Sequence, residues 1–309
     1  MSDDRPRHDD SLRPRHDDSL RPRRSVLYMP AANARALEKA KTIPADALIF
    51  DLEDAVTPDA KEEARAQAVA AAASGEYGNR EVTIRCNGLD TAWGADDLAA
   101  AATSGASAVV VPKVDSVAYL DRVSSALDAA GAPADGPDAM AIWAMVETPT
   151  AIFDARAIAA HDRVAALIMG TNDLAKELRA AQLPGRATLL PHLATALLAA
   201  REAGKVILDG VYNDISDAEG FEAECCQGVD LGFDGKTLIH PNQVEVANRV
   251  WAPSDDEIAE ARDIIDAFIA AEAEGLGVVT VNGRMIENLH VDNARRTLAV
   301  ADAIAAAAS

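Results

Sequence analysis

Short apolar runs recur along this chain, and each one is closed by a polar residue. Leu48-Ile49-Phe50 leads into Asp51-Leu52-Glu53-Asp54, Val82-Thr83-Ile84 into Arg85, and Val109-Val110-Val111 into Pro112-Lys113. Ile142–Val146 is followed by Glu147, Leu167-Ile168-Met169 by Gly170-Thr171-Asn172-Asp173, and Val206-Ile207-Leu208 by Asp209. A strand buried on both faces reads as an unbroken apolar run, and such strands belong to parallel sheets covered by helices. In a closed barrel of parallel strands, chemistry gathers at their C-terminal ends. The polar residues that close the runs are therefore expected to converge on one mouth.

Strands are expected near 25–29, 47–51, 81–85, 108–111, 140–146, 164–169, 206–209 and 231–234, with Ala-rich amphipathic segments between them. Thr57-Pro58 and Thr148-Pro149 each place a capping hydroxyl before a proline, a helix-start signature. The pattern predicts a (β/α)8 TIM barrel over residues 24–250. A doubly wound sheet would want a glycine-rich phosphate turn after its first strand. That turn here is Met29-Pro30-Ala31-Ala32-Asn33. Residues 1–23 contain the octapeptide RPRHDDSL twice, at 5–12 and 13–20, and are expected to form a disordered leader. Residues 251–309 differ in kind from the barrel and are expected to form a helical appendage that lids a barrel mouth or joins subunits.

The formal net charge of −21 argues against nucleic acid or anionic membranes as partners. Seven lysines against 22 arginines, with acids spread over every helix, fit either a surface kept soluble at high salt in a halophilic host or a high-GC genome, which alone favours Arg and Ala. No uncharged stretch is long enough to span a bilayer and no signal-peptide core is seen, so a cytoplasmic location is expected. Cys86, Cys225 and Cys226 form no C-x-x-C pair, which indicates neither a disulfide framework nor a zinc site.

Glu147 and Asp173 close adjacent strands, and two such carboxylates suit one hard divalent cation, Mg2+ or Mn2+, with substrate oxygens completing its shell. The alternative is that each carboxylate caps the helix that follows it. Arg85 ends an apolar run, so it either pairs with Asp51 or Glu53 or binds an anionic substrate. Among Asp51, Glu53 and Asp54, one residue would orient Arg85 while another reaches a metal-bound water. Lys113, Asn172 and Asn213-Asp214 complete the expected rim. His240 is either a base or a histidine bonded to backbone at a helix start.

The segments RSVLYMPAAN (24–33), DLEDAV (51–56), RCNG (85–88), VPKV (111–114), VETPTAI (146–152), GTNDLAKEL (170–178) and GFDGKTLIHPNQV (232–244), in this order, resemble one family. It is the citrate lyase β-subunit-like branch of the HpcH/HpaI aldolases, which includes malyl-CoA and citramalyl-CoA lyases. The resemblance covers about residues 24–297. It implies Mg2+-dependent retro-Claisen cleavage of a 3-hydroxyacyl-CoA, such as malyl-CoA or β-methylmalyl-CoA, to glyoxylate and acetyl-CoA or propionyl-CoA. The metal ligands it implies are Glu147 and Asp173, the substrate-binding arginine Arg85, Tyr28 and Lys39 on the coenzyme A side, and the lid acid Glu287. With the strand-end reading, the expected catalytic groups are Arg85, Glu53 and Glu287, and Asn172, Ile239 and His240 join the expected substrate-binding residues. A homotrimer or homohexamer is implied, with the C-terminal segment of one subunit closing its neighbour's site. Relatives carry Met-Ile-Asp in that segment where this chain has Met285-Ile286-Glu287. The longer side chain leaves hydrolysis of the thioester, as in a malyl-CoA thioesterase, as the alternative activity. A non-catalytic citrate-lyase-β-like subunit is the remaining alternative.

Overall fold

The computed structural model describes residues 20–133, 135–136, 139–273 and 279–308. Eight parallel strands close into a barrel in sequence order: β1 (Ser25–Pro30), β2 (Ala47–Asp51), β3 (Glu81–Arg85), β4 (Ala108–Val111), β5 (Ala141–Val146), β6 (Val164–Met169), β7 (Val206–Asp209) and β8 (Gly235–Leu238). Around them run α1 (Ala34–Ala40), α2 (Lys61–Ala73), α3 (Gly94–Ala101), α4 (Val117–Ala129), α5 (Pro149–Ala159), α6 (Thr171–Leu178), α7 (Leu190–Glu202), α8 (Ala218–Leu231) and α9 (Val244–Val250). The fold is a TIM barrel, as the periodicity predicted.

Strand parity divides the core in two. Val26, Ile49, Val110, Trp143, Met145, Ile168 and Leu208 fill the barrel interior. Leu27, Leu48, Phe50, Ile84, Val109, Ile142, Leu167 and Ile207, one residue out of phase, pack against the helices. The same parity carries Tyr28, Asp51 and Arg85 inward at the upper end. At the lower end Glu81 receives two bonds from the Arg23 guanidinium, at 2.6 and 2.9 Å, and Arg23 also sits 5.3 Å over the Trp143 ring. Arg23 is thus a buried plug of the barrel floor, although the composition of residues 1–23 placed it in a disordered leader. Residues 1–19 of that leader lie outside the described residues.

The eighth strand differs from its expected position at 231–234. Leu231 ends α8, Gly232 closes it in the left-handed region (φ 99°), and the strand begins at Gly235. Gly-Lys-Thr-Leu does not read as a buried strand because Lys236 is fully buried by ion pairing: its Nζ lies 2.9 Å from Asp209 and 2.7 Å from Glu224. Asp209 also takes Arg186 at 2.7 Å. Burial works to raise the Asp209 carboxyl, yet Lys236 and Arg186 hold it below its ordinary value. Asp209 therefore faces α8, outside the barrel, and does not join the mouth. Leu208 points inward, so its neighbour must point out.

The two expected caps part ways. Thr148 Oγ1 accepts the Ala151 N–H at 3.1 Å and starts α5. Thr57 makes no cap; it engages the Asp59 carboxylate, and Pro58–Ala60 forms a 3-10 turn before α2. Beyond α9, α10 (Asp255–Ala273), a hairpin of β9 (Val279–Val281) and β10 (Arg284–Ile286), and α11 (Asn288–Ala308) form the appendage. Arg296 of α11 meets Asp234 at 3.3 Å, and the Ala307 carbonyl accepts from Asn79 at 3.3 Å. Asp234 and Asn79 precede β8 and β3, so α11 lies across the barrel floor, opposite the mouth. Among the described residues, no helix is long and apolar enough to cross a membrane.

Candidate active site

The mouth is built from the ends of β1 to β6. Arg85 is buried and forms a fork with Asp51, Nε and Nη2 each 2.6 Å from a carboxylate oxygen. Its Nη1 lies 2.8 Å from Glu53 and 3.3 Å from Asp54. Asp51 is fixed in turn by the N–H groups of Glu53 (2.9 Å) and Ala55 (3.1 Å). Of the two roles open to Arg85, internal pairing is thus met by three hydrogen bonds, two to Asp51 and one to Asp54, with Glu53 in ion-pair contact, and the second Nη2 proton is directed away from the Asp51 fork. The guanidinium also stacks 4.8 Å over the Tyr28 ring, where burial holds the phenol well above its usual pKa.

Glu147 follows β5 and Gly170 follows β6, level with each other because Val146 pairs with Met169. Neither carboxylate caps a helix: Thr148 caps α5, and Asp173 is the third residue of α6, whose N-cap is Gly170. The capping alternative therefore fails for both. Glu147 is 4% exposed, and its Oε1 accepts the Lys113 N–H at 2.7 Å. Burial pushes its carboxyl to about 7; the Lys113 N–H opposes that shift and the charge of Asp173 adds to it. Burial also raises Glu53 to about 7 against the pull of Arg85, with Asp54, Glu147 and Asp51 adding to the rise. A cluster of carboxylates short of positive charge is a ready seat for a cation. Among the described residues, no group of three or more His, Cys, Asp or Glu is arranged to enclose an ion. Two hard oxygen ligands, with water and ligand oxygens filling the other positions, suit Mg2+.

Two lysines hold the site in ways the sequence pattern does not mark. Lys113, on the expected rim, has a left-handed backbone (φ 49°), and its Nζ stands 3.6 Å from Asp173. Lys61 carries no sequence signal of a role in the site. Its buried ammonium donates to the carbonyls of Leu52 and Glu53, both at 2.7 Å, and to Asn87 at 2.8 Å, clamping the loop that carries Glu53. Its place four residues after Thr57, at the start of an Ala-rich helix, gave no signal of burial.

The other expected site residues are placed less uniformly. Asn172 exchanges amide hydrogen bonds with Asn213 at 3.0 and 2.7 Å on the exposed rim. Ile239, 40% exposed, follows β8 beside His240. His240 Nδ1 accepts the Asn242 N–H at 3.3 Å in a capping box with Gln243, so of its two readings the structural one holds in this state. Lys39 sits exposed in the last turn of α1, which runs down from the mouth. Glu287 follows β10 on the appendage, its N–H bonded to His290 at 3.1 Å. Glu287 directly precedes α11, the helix that meets the barrel floor through Arg296 and Ala307.

The sequence pattern of the HpcH/HpaI aldolase/citrate lyase family matches residues 24–241. The chain belongs to that family. A (3S)-malyl-CoA thioesterase from Cereibacter sphaeroides is 50% identical over 283 residues, covering 92% of this chain and 96% of that protein. Citrate lyase subunit beta of Escherichia coli is 38% identical over 281 residues, 90% of this chain and 93% of the other. Among solved structures, CitE from Mycobacterium tuberculosis in complex with magnesium, acetoacetate and coenzyme A superposes with a TM-score of 0.73 at 29% identity, covering 90% of this chain and 97% of that one.

Proposed function

We propose that this chain is a Mg2+-dependent enzyme acting on a 3-hydroxyacyl-CoA of the malyl-CoA type, and that hydrolysis of the thioester is its main reaction. The observation that carries the reading is the pair formed by Glu147 and Asp173, freed from helix capping and set beside the buried Arg85. The sequence expectation put C–C cleavage first. The thioesterase relative, half identical over nearly the whole chain, and the glutamate at 287 reverse that order.

Mg2+ held by Glu147 and Asp173 would polarise the oxygens of a chelating oxyacid. The remaining Nη2 proton of Arg85 is available to the oxyanion that develops when the thioester carbonyl is attacked. Glu53, titrating near 7, is matched to neutral pH as the base that takes a proton from the attacking water. The C–S bond then breaks and coenzyme A leaves with that proton. In the cleavage reaction the same carboxylate would take the proton of the 3-hydroxyl, and Glu287 from a neighbouring subunit would serve the acetyl carbon. Exposed Met285 and Leu289 on either side of Glu287 give the appendage an apolar face for the neighbour in a homotrimer or homohexamer.

The assay is direct. Malyl-CoA with purified protein and Mg2+ is expected to yield malate and free coenzyme A in equal amounts. Glyoxylate and acetyl-CoA as the main products would assign the chain to the lyases, and inertness toward malyl-CoA would remove both readings. A subtler variant probes the ligand pair: a Cβ at Gly170 would fall 2.3 Å from both Cβ and Oε2 of Glu147. Gly170→Ala is expected to displace that carboxylate and lower kcat/KM by about 10²-fold with far-ultraviolet dichroism unchanged. Activity within about twofold of the parent would count against Glu147 as a ligand.

A further inference from the structure

We propose that Lys113 is the built-in counter-ion of the metal site, neutralising the carboxylate pair until a divalent cation takes its place. The inference rests on the reading of Glu147 and Asp173 as metal ligands. One residue touches both of them: the Lys113 N–H is 2.7 Å from Glu147 Oε1, and its Nζ is 3.6 Å from Asp173 Oδ2. The backbone that makes both contacts is left-handed at 113 (φ 49°), a conformation costly for any residue with a Cβ. Glycine would relieve the cost and keep the N–H, but it would surrender the ammonium.

The side chain is 58% exposed, so it is free to swing into solvent once a cation arrives. The backbone N–H stays, since it belongs to the turn after β4. Lys113 therefore does two separable jobs. Its main chain orients Glu147 in every state, and its side chain opposes binding of the metal. Removing only the charge should relieve that opposition twice over, because the empty pair loses its compensation and the bound cation loses a like-charged neighbour.

The test is calorimetric titration of Mg2+ into the metal-free full chain, at fixed ionic strength, with no substrate present. Lys113→Met, which keeps the hydrocarbon stem and the main chain, is expected to bind Mg2+ about five-fold more tightly than the parent. Lys113→Arg keeps the charge and is expected to match the parent. Affinity of Lys113→Met equal to or weaker than the parent's would overturn the proposal and leave the metal site standing. Uptake of Mg2+ indifferent to Asp173→Asn would remove the site itself, and the proposal with it.

Discussion

Glu147→Gln is expected to abolish turnover and, in metal-free protein, to raise stability. The loss of activity should be on the order of 10³-fold in kcat, because one of two charged cation ligands becomes a neutral amide. The gain follows from burial. The Glu147 carboxyl is raised from 4.5 to about 7 in the folded chain, so between those values the folded state binds the proton more firmly than the unfolded state. Stability from this group is full below its unfolded pKa and is lost as pH rises through the folded value. At about pH 8 the penalty is roughly 2–3 kcal/mol, and glutamine removes it while its carbonyl still accepts the Lys113 N–H. Urea denaturation without metal should show the variant more stable near pH 8, with the difference shrinking toward about pH 5. Glu53 titrates in the same window, and because the charge of Glu147 helps to raise it, the variant relieves part of that rise as well, in the same direction. Added Mg2+ should stabilise the parent and not the variant. A variant less stable than the parent at both pH values would show that the folded chain does not hold this carboxylate at a cost.

Seven of the eight strands were legible from their apolar runs, although β3 keeps only Val82 and Ile84 apolar and turns Glu81, Thr83 and Arg85 inward. β8 was not, because its residues at 236 and 237 are polar and their burial depends on Asp209 and Glu224, distant in sequence. The same ion pair hid the fate of Asp209: a run-closing carboxylate signals a mouth only if strand parity turns it inward, and the apolar run carries no parity. At the site, Glu147 and Asp173 could be set at one mouth from sequence because Glu147 follows β5 and Asp173 lies in the first turn of the helix after β6. The grip of Lys61 on the Glu53 loop and the reach of Lys113 were not legible, since each depends on where a turn directs one side chain. Lys39 and Glu287 show the limit of placing residues by likeness, for their roles depend on how far a helix descends and which copy a hairpin faces.

Arg85→Met is expected to cost about 3–5 kcal/mol of stability, the range for removing one partner of a buried ion pair. The methionine fills most of the volume but leaves Asp51, 2% exposed, with only two backbone N–H groups to hold a full charge. Glu53 loses its closest cation, and the stacking on Tyr28 goes as well. Without the guanidinium the Glu53 carboxyl, already raised to about 7, loses the charge that holds it down and rises further, so the deficit should be large near pH 8 and smaller near about pH 5, where protonation relieves it. A structural role alone would be met by removing the other partner too. The double variant Asp51→Asn with Arg85→Met should therefore recover part of the lost stability, a coupling outside additivity. It should recover no activity, because no N–H remains for the developing oxyanion. A single variant costing less than about 1 kcal/mol, or a double variant merely additive, would mean that solvent reaches the fork and that Arg85 is not the buried anchor of the mouth.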